Sequence, residues 1–589
     1  ILNSVFLAEA INKGLDLAIV NVKKIIPLYK IEPEDQEKCL NVIYNRGNEN
    51  PLFDFIAHFE KKAGRTKKEK SPDESLSLEE KVKQRVIQGN KHDMENLLMT
   101  CLEQYNPLQV INEILIPAMK TVGELFGAGK MQLPFVLQSA EVMKFAVDKL
   151  EPFMEKTEEQ SRTSMVIATV RGDVHDIGKN LVDIILTNNG FKVYNLGIKC
   201  EIETMLNKVD EVKADAIGMS GLLVKSTIVM KENLEEMKKR GYNIPVLLGG
   251  AALTRSYVDD VCQPLLDSPV IYCADAFAGL DTMSLIKEGK LKAPADDAER
   301  AGQKRPASRV ARPEVREEEI DRNVDIPSPP FWGDKIVRDV DLETVFSYLT
   351  ESVLFRGRWG YRRGKMSREE YDDLIDKVVK PEFEDLKKHC MDNRLINPLL
   401  VYGYYPCNSD GEQVIVYQPD SEEELTRLSF PRQKKAPYRC IADFFLPKEN
   451  GVRDMIALQV VTVGMRAQEE ARRLYDSNQY KKYLLFHGLS VESAEALAEY
   501  WHKKIREELA IAGADGATMD EFVVQKYRGS RYSFGYPACP DLGENRKLFE
   551  LLKPERIDVF LTEEDQMVPE QTTSAFIVHH PQAKYFTIE

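Results

Sequence analysis

The sequence predicts a multidomain protein with a helical bundle, then a doubly wound parallel α/β domain, then a mixed α+β domain. The chain has 589 residues, which is more than one hydrophobic core organises. Between residues 81 and 156 apolar residues recur at helical spacing, which indicates packed helices. Between residues 163 and 290 short β-rich runs alternate with amphipathic helices, a pattern typical of a parallel sheet covered on both faces.

The composition argues against several classes of function. The formal net charge is −15, from 80 basic and 95 acidic residues, so we expect no nucleic-acid partner. No run of about 18 uninterrupted apolar residues occurs, so we expect no membrane span or membrane partner. Nine Cys residues without a CxxC pair predict a reduced, cytoplasmic protein. The absence of an initial Met suggests a fragment of a longer protein.

Changes in composition place the domain boundaries. The first residues have the spacing of helices, but their pattern does not predict a domain that folds by itself. The charged stretch at 61–80 predicts a solvated linker. Residues 291–330 are mostly Ala, Pro and charged residues, which predicts a tether of considerable reach. The segments that result are 1–62, 63–158, 159–290, 291–326 and 327–589.

Five β-rich runs define the α/β domain. They are SMVIATV (164–170), FKVYNLG (191–197), ADAIGMSG (214–221), IPVLLGG (244–250) and PVIYCAD (269–275). Helical connections between them predict parallel strands in a flavodoxin-like or Rossmann-like sheet. Such sheets bind ligands at the carboxyl ends of their strands, so the residues that follow each run are the candidates for function.

A histidine follows the first of these runs, in the stretch GDVHDIGKN (172–180). A lone histidine in a loop is usually a polar surface residue. Here Asp173 lies two residues before His175, where a hydrogen bond to the imidazole would fix its tautomer. The residues that end the third and fourth runs are Ser220, Leu222, Gly249 and Gly250. Paired glycines let a ligand lie against bare backbone, and the same pair also suits a tight turn.

These positions together resemble the cobalamin-binding signature DxHxxG…SxL…GG. The matching residues are Asp173, His175, Gly178, Ser220, Leu222, Gly249 and Gly250. The resemblance implies that His175 binds the cobalt of cobalamin in place of the cofactor's own base. It further implies that Asp173 accepts a hydrogen bond from His175 and another from Ser226, and that the nucleotide tail lies beside the glycine pair. The additional cobalamin contacts that it implies are Gly172, Val174, Asp176 and Ala276.

The stretch VGELFGAGKMQLP (122–134) precedes the α/β domain and resembles the cap bundle of cobalamin-dependent methionine synthase and its corrinoid-protein relatives. In that family Phe126, Leu133 and Val136 would shield the methyl face of the cofactor. Ordinary helix core is the alternative interpretation of the same residues. An apolar lid suits a cofactor whose reduced cobalt must be kept from solvent.

The stretch RYSFGYPACPD (531–541) resembles the S-adenosylmethionine-binding motif RxxxGYPACP of the same family's reactivation domain. The residues that map onto ligand positions are Arg531, Gly535, Tyr536, Glu495 and Tyr585. The guanidinium of Arg531 suits the carboxylate of that ligand. A family Asp falls where this chain has Thr350, with Glu351 beside it, so that contact stays open.

The resemblance extends over nearly the whole chain. It implies the tail of a folate-binding barrel at 1–62, the cap at 63–158, the cobalamin domain at 159–290, a linker at 291–326 and a reactivation domain at 327–589. The implied enzyme is 5-methyltetrahydrofolate–homocysteine methyltransferase, with cobalamin in its methylcobalamin form. The implied repair of cobalt(II) uses S-adenosylmethionine and an electron from flavodoxin or a similar flavoprotein.

Part of that enzyme is missing from the chain. Homocysteine activation needs a zinc–thiolate site, and the sequence holds no suitable Cys cluster. We therefore predict that the chain relies on the folate and homocysteine modules of the same enzyme, including its zinc, and cannot make methionine alone. The alternatives are a corrinoid carrier of another methyltransferase system, a cobalamin-dependent mutase and a non-catalytic cobalamin sensor. The GYPACP stretch argues against the mutase.

Overall fold

The chain is described from a computed structural model and divides into two compact units, Ile1–Lys81 and Val82–Glu589. The described residues are 2–15, 31–44, 76–153, 163–291 and 320–588 without 519, 520 and 523, together with 18, 26, 28, 46, 51, 55, 58 and 59. Most of the linker expected at 61–80 and of the tether expected at 291–326 lies outside the described residues.

In the first unit, the described residues include helices α1 (Leu2–Asn12) and α2 (Pro33–Ile43). Proline suits the first position of α2 because the amide hydrogen that it lacks has no partner inside a helix. A small cluster of Val5, Ile31 and Cys39 is buried between these segments. So small an apolar cluster contributes little stability by itself.

The second unit begins with a helical bundle. Its helices are α3 (Leu78–Ile87), which starts before the division, α4 (Met94–Cys101), α5 (Ile116–Gly127) and α6 (Leu133–Leu150). A π-helical turn at Val110–Leu115 leads into α5. Pro107 opens this stretch and Asn106 caps it, because the Asn106 side chain accepts a hydrogen bond from the backbone N–H of Gln109 at 2.8 Å.

A five-stranded parallel sheet follows, as the sequence predicts. Its strands are β1 (Ser164–Thr169), β2 (Lys192–Asn195), β3 (Ala216–Ser220), β4 (Val246–Gly249) and β5 (Val270–Tyr272), in the order β2-β1-β3-β4-β5. Every residue of β1 is buried, because helices cover both faces of a central parallel strand. The prediction of a doubly wound α/β domain is confirmed.

Four helices form the two outer layers of this domain. They are α7 (Ile177–Thr187), α8 (Ile202–Val212), α9 (Val224–Lys239) and α10 (Ala276–Lys287). Successive β1 side chains point to opposite faces. Met165 therefore belongs to the core that includes Leu186 of α7 and Met283 of α10, whereas Val166 belongs to the core that includes Met205 of α8.

The last domain is built on an antiparallel sheet, which confirms the mixed α+β prediction. Its main path is β11-β14-β10-β7-β8-β9, with β6 paired to β7 and a separate ribbon of β12 and β13. The strands are β6 (Gly333–Val337), β7 (Leu399–Asp410), β8 (Gln413–Tyr417), β9 (Glu424–Ser429), β10 (Asp454–Thr462), β11 (Ser530–Tyr532), β12 (Phe560–Leu561), β13 (Met567–Val568) and β14 (Thr572–Val578).

Helices cover this sheet. They are α11 (Leu342–Ser347), α12 (Arg368–Leu374), α13 (Lys380–Asp392), α14 (Met465–Asp476), α15 (Tyr480–Glu508) and α16 (Asn545–Leu552). Helix α15 has 29 residues and packs against β10 and β14. Among the residues described here, no helix combines the length and the apolar character needed to cross a membrane.

Candidate functional site

The residues expected to act together meet at one edge of the parallel sheet. Strand β1 ends at Thr169, and the loop after it carries His175 into this edge. The hydroxyl of Thr169 donates a hydrogen bond to the His175 carbonyl at 3.0 Å, which ties the loop to the strand. Ser220 ends β3 and Gly249 ends β4 at the same edge, because the strands are parallel and in register.

Asp173 is the centre of a hydrogen-bond network. It is fully buried and accepts hydrogen bonds from the ring Nδ1 of His175 at 2.8 Å and from the His175 backbone N–H at 2.9 Å. It also accepts from the hydroxyl of Ser226 at 2.5 Å and from the backbone N–H of Leu222 at 2.7 Å. A buried carboxylate needs such a set of donors because it has lost its water.

This network shifts the acidity of both partners. Burial alone would raise the pKa of Asp173, but the hydrogen bonds from His175 and Ser226 hold the pKa below its usual range. Burial alone would lower the pKa of His175, but the bond to Asp173 and the charge of Glu570 raise it above its usual range. An imidazole that donates through Nδ1 to a carboxylate presents Nε2 as a lone pair.

Glycines let the strand ends approach each other. Gly250 has a φ of +151°, and a Cβ atom there would lie 1.8 Å from the carbonyl oxygen of Gly221. The backbone N–H of Gly221 donates to the carbonyl of Gly249 at 3.2 Å, which joins the ends of β3 and β4. Gly178 faces the Ser220 hydroxyl, which a Cβ would approach to 3.9 Å. The glycines therefore allow the backbone at the ends of β3 and β4 to pack closely at the edge that carries His175.

The last domain lies against this edge of the sheet. A cavity of about 840 Å³, called here the interdomain cavity, opens between the two domains. The α/β domain contributes Val174, Asp176, Ile198 and Lys199 to its lining. The last domain contributes residues of α14 and α15, among them Tyr475, Tyr483 and His487, and residues of the segment 568–571, among them Glu570.

Polar contacts hold the two domains together around this cavity. The backbone N–H of Val174 donates to Gln566 at 2.9 Å, and the hydroxyl of Tyr483 donates to Asp176 at 3.2 Å. Tyr475 donates to Asp183 at 2.9 Å. Sequence reasoning missed Tyr475, Tyr483 and Gln566, because each lies about 300 residues or more from its partner and belongs to no local motif.

Ion pairs border the same interface. The ammonium of Lys225, on α9, lies 2.5 Å from the carboxylate of Glu564, which also lies 4.0 Å from Arg171. Gly172, one of the implied cobalamin contacts, faces the side chain of Glu564 and has a φ of +77°. The loop before His175 is thus covered by a charged side chain of the last domain.

The implied shield residues lie elsewhere. Phe126 stacks on Phe277 with ring centroids 4.3 Å apart, next to Ala276 at the start of α10. Leu133 packs against Gly360 of the last domain, and Val136 is fully buried. Within the described parts of the chain, none of the three lines the interdomain cavity. The domain that covers His175 in this arrangement is the last domain.

Arg531 belongs to the residues that resemble an S-adenosylmethionine site, and acidic side chains lie close to it. Its guanidinium lies 3.6 Å from Glu495 and 3.6 Å from Glu499, both on α15. The charge of Glu495 raises the pKa of Tyr536 to about 12. Glu499 escaped the sequence reasoning, although its position four residues after Glu495 places it on the same helix face.

The remaining residues of this set differ in exposure. Gly535 has a φ of +89° and faces the side chain of Leu542, so glycine is required there. Tyr585 is 40% exposed and stacks on Tyr532 at 6.1 Å. The carbonyl of Thr350 accepts from the backbone N–H of Leu354, which places Thr350 at the start of a helical turn.

Comparison with known proteins connects these features. Residues 358–589 match the family model described as vitamin B12 dependent methionine synthase, activation domain, and residues 78–151 and 163–264 match two models described as B12 binding domain. The chain is 44% identical over 632 residues to methionine synthase from Mycobacterium tuberculosis (strain ATCC 25618 / H37Rv). These matches assign B12 binding domains to residues 78–151 and 163–264, and an activation domain of the methionine synthase type to residues 358–589. The prediction of these domains is confirmed.

One further relative and one solved structure are also similar to this chain. Methionine synthase from Mycobacterium leprae (strain TN) is 43% identical over 639 residues. Both mycobacterial proteins match 100% of this chain, which spans 53% of each of them, or about half of their length. The crystal structure of a MetH reactivation domain bound to AdoHcy is 26% identical, with a TM-score of 0.42, and covers 45% of this chain and 84% of its own.

Proposed function

We propose that this chain is the cobalamin-carrying and reactivating part of a 5-methyltetrahydrofolate–homocysteine methyltransferase. The observation that carries the proposal is the buried Asp173 that holds His175 and Ser226 at the ends of the parallel strands, inside a segment that matches a B12 binding domain. Cobalamin, when bound, supplies a cobalt ion that carries a methyl group between a donor and an acceptor.

The residues at the strand ends fit cobalamin. Asp173 occupies Nδ1 of His175, and within the described residues Nε2 has no hydrogen-bond partner, so it is the atom that would bind cobalt. The glycines at positions 221 and 250 bring the backbone of two strand ends together beside it, and we propose that the surface they form is a cleft for the nucleotide tail. We propose that Ser220, Leu222, Gly249 and Gly250 border the nucleotide tail and that Val174 and Asp176 contact the ring.

Asp173 has two tasks in this proposal. While His175 is a ligand, the carboxylate orients the ring and increases the basicity of Nε2. When His175 is free, the same carboxylate and the nearby Glu570 favour the protonated imidazole, which agrees with the raised pKa of His175. Ser226 keeps Asp173 ionised and in place through its 2.5 Å hydrogen bond. The three residues would therefore couple the release of His175 from cobalt to the uptake of a proton at Nε2.

The last domain would bind the methyl donor used for repair. We propose that S-adenosylmethionine binds beside Arg531, with Glu495, Gly535, Tyr536 and Tyr585 as further contacts. The guanidinium of Arg531 already faces two carboxylates and offers a fork of donors to a third. Separately, the interdomain cavity shows the last domain against the α/β domain, on residues next to His175.

The partners follow from the same proposal. The folate and homocysteine modules, with their zinc, belong to the part of the enzyme that this chain does not span, and the electron donor is flavodoxin or a similar flavoprotein. We propose a cytoplasmic location for the enzyme. Phe126, Leu133 and Val136 would shield the cofactor in a second arrangement, in which the helical bundle takes the place of the last domain.

Electron paramagnetic resonance tests the assignment of His175. The chain is loaded with cobalamin, reduced to cobalt(II) and compared after growth with ordinary and with nitrogen-15-labelled histidine. We expect the axial nitrogen splitting to change with the label and the change to vanish in His175→Gln. The control is His389→Gln, an exposed histidine on α13, which should keep the labelled pattern. An axial nitrogen splitting that is the same with ordinary and with labelled histidine would refute the ligation of cobalt by histidine, and with it this function.

A further inference from the structure

Three side chains of metal-ligating type meet on the wall of the interdomain cavity. Asp176 belongs to the α/β domain, His487 to α15, and Glu570 to the segment before β14. One ligand atom of each lies within 4.8 Å of the other two. Nε2 of His487 is 3.2 Å from the carboxylate of Glu570, and the hydroxyl of Tyr483 orients Asp176 through a hydrogen bond of 3.2 Å.

The donor set matches a divalent cation that takes nitrogen and oxygen ligands. Zn²⁺ binds imidazole nitrogen at about 2.0–2.1 Å and carboxylate oxygen at about 2.0–2.2 Å, so tetrahedral ligand atoms are about 3.4 Å apart. The His487–Glu570 distance of 3.2 Å already meets this requirement. The Asp176 oxygen lies at most 4.8 Å from the other two ligand atoms, so it needs to move closer by up to about 1.4 Å, and the cavity has room for water as a fourth ligand.

The neighbouring arginines have other partners, so the carboxylates of Asp176 and Glu570 are available to bind a cation. The arginines on the same wall are paired with acids of their own helix: Arg472 with Asp476 at 2.9 Å and Arg473 with Glu470 at 2.6 Å. His487 is 6% exposed, so a ligand that binds it exchanges with solvent only through the cavity.

We propose that Asp176, His487 and Glu570 form a divalent-cation site, suited to Zn²⁺, that is complete only while the last domain lies against the α/β domain. One ligand comes from one domain and two from the other, so the cation stabilises the docked arrangement by its binding free energy. The site shares Asp176 with the proposed contact to the cobalamin ring, but its test measures zinc binding by itself, so it can fail without the failure of the proposed function.

Zinc affinity of the complete 589-residue chain tests the proposal. The chain is freed of metal on a chelating resin and titrated with Zn²⁺ in competition with a chromophoric indicator. We expect one tight site per chain. His487→Gln and Glu570→Gln should each weaken it by at least about 100-fold, the upper end of what the loss of a supporting partner costs a metal site.

The matched control is Glu469→Gln. Glu469 lines the same cavity and carries the same charge as Glu570, but it is exposed and outside the trio. It should leave the zinc affinity within about twofold of the parent, a loss too small to reflect a missing ligand. Absence of tight binding in the parent, or equal losses in Glu469→Gln and Glu570→Gln, would overturn the site. Glu570→Gln is the deciding variant if His487→Gln, which alters a buried residue, does not fold.

A second variant tests the dependence on docking. Glu564→Lys reverses the charge that Lys225 and Arg171 face across the interface, and Glu564 is not one of the proposed ligands. Like-charge contact should separate the domains and withdraw Asp176 from the other two ligands. We expect zinc binding at least about 10-fold weaker, because two ligands remain instead of three. Zinc affinity equal to that of the parent would show that the site does not require docking.

Discussion

Gly250→Ala should disrupt the cleft beside His175, whereas Gly249→Ala should not. A Cβ at position 250 would lie 1.8 Å from the carbonyl oxygen of Gly221, where real Cβ contacts stay above 3.0 Å. The atom in the way belongs to the backbone, so the ends of β3 and β4 would have to separate by more than about 1 Å. A Cβ at position 249 meets only the Cys273 carbonyl at 3.7 Å, an ordinary contact.

The expected cost has three sources. A non-glycine residue at a φ of +151° costs about 1–3 kcal/mol, and forcing a methyl group into a filled space costs about 1–3 kcal/mol. Loss of the 3.2 Å hydrogen bond between Gly221 and Gly249 adds about 1 kcal/mol. We therefore expect Gly250→Ala to lose about 4 kcal/mol of unfolding free energy, and Gly249→Ala to lose less than about 1 kcal/mol.

Two measurements check this pair. Urea unfolding gives the loss of stability, and absorbance after gel filtration gives the cobalamin retained per chain. Gly250→Ala should unfold at lower urea and retain little cobalamin, while Gly249→Ala should resemble the parent in unfolding. Equal midpoints and equal retention in both variants would refute the claim that the backbone contact between Gly250 and Gly221 shapes the cleft.

Asp173→Asn should lower the pKa of His175, because burial then acts without the carboxylate that favours the protonated ring. The same change should lower the unfolding free energy by about 2 kcal/mol, because it leaves a buried hydrogen-bond donor unpaired. An NMR titration of nitrogen-15-labelled histidine checks the pKa, and an unchanged or higher pKa would contradict the prediction. Burial lowers the pKa of His502 from 6.5 to about 4, so the unfolded chain binds this proton first as the pH falls. Between pH 7 and pH 4 the parent should lose about 3 kcal/mol more unfolding free energy than His502→Gln does. Urea midpoints at the two pH values measure this difference. Equal losses in the parent and in His502→Gln would contradict it.

Local patterns were sufficient for the architecture. The run SMVIATV is buried along all of β1, and the next run, after one helix, pairs with it in parallel. Hydrophobic spacing and turn residues act over a few positions, so they can be read without knowing the fold. The same holds for the hydrogen bond between Asp173 and His175, which are two residues apart.

The family resemblance predicted a contact of Ser226 that local sequence patterns could not predict. It lies 53 residues from Asp173, and no spacing rule connects the two. The cobalamin signature implied their contact, and the structure places the Ser226 hydroxyl 2.5 Å from the carboxylate. The implied shielding of the methyl face by Phe126 and Leu133 stays a prediction; in this arrangement Phe126 stacks on Phe277 and Leu133 packs against Gly360.

The sequence by itself determined the order of the domains, the parallel sheet and the group of residues at its carboxyl edge. Only the tertiary structure decided which surface covers that edge. Tyr483 meets Asp176 across 307 residues, and Glu570 meets His487 across 83. Such contacts depend on how whole surfaces fit and how their charges pair once each domain has folded, and no local periodicity records that fit.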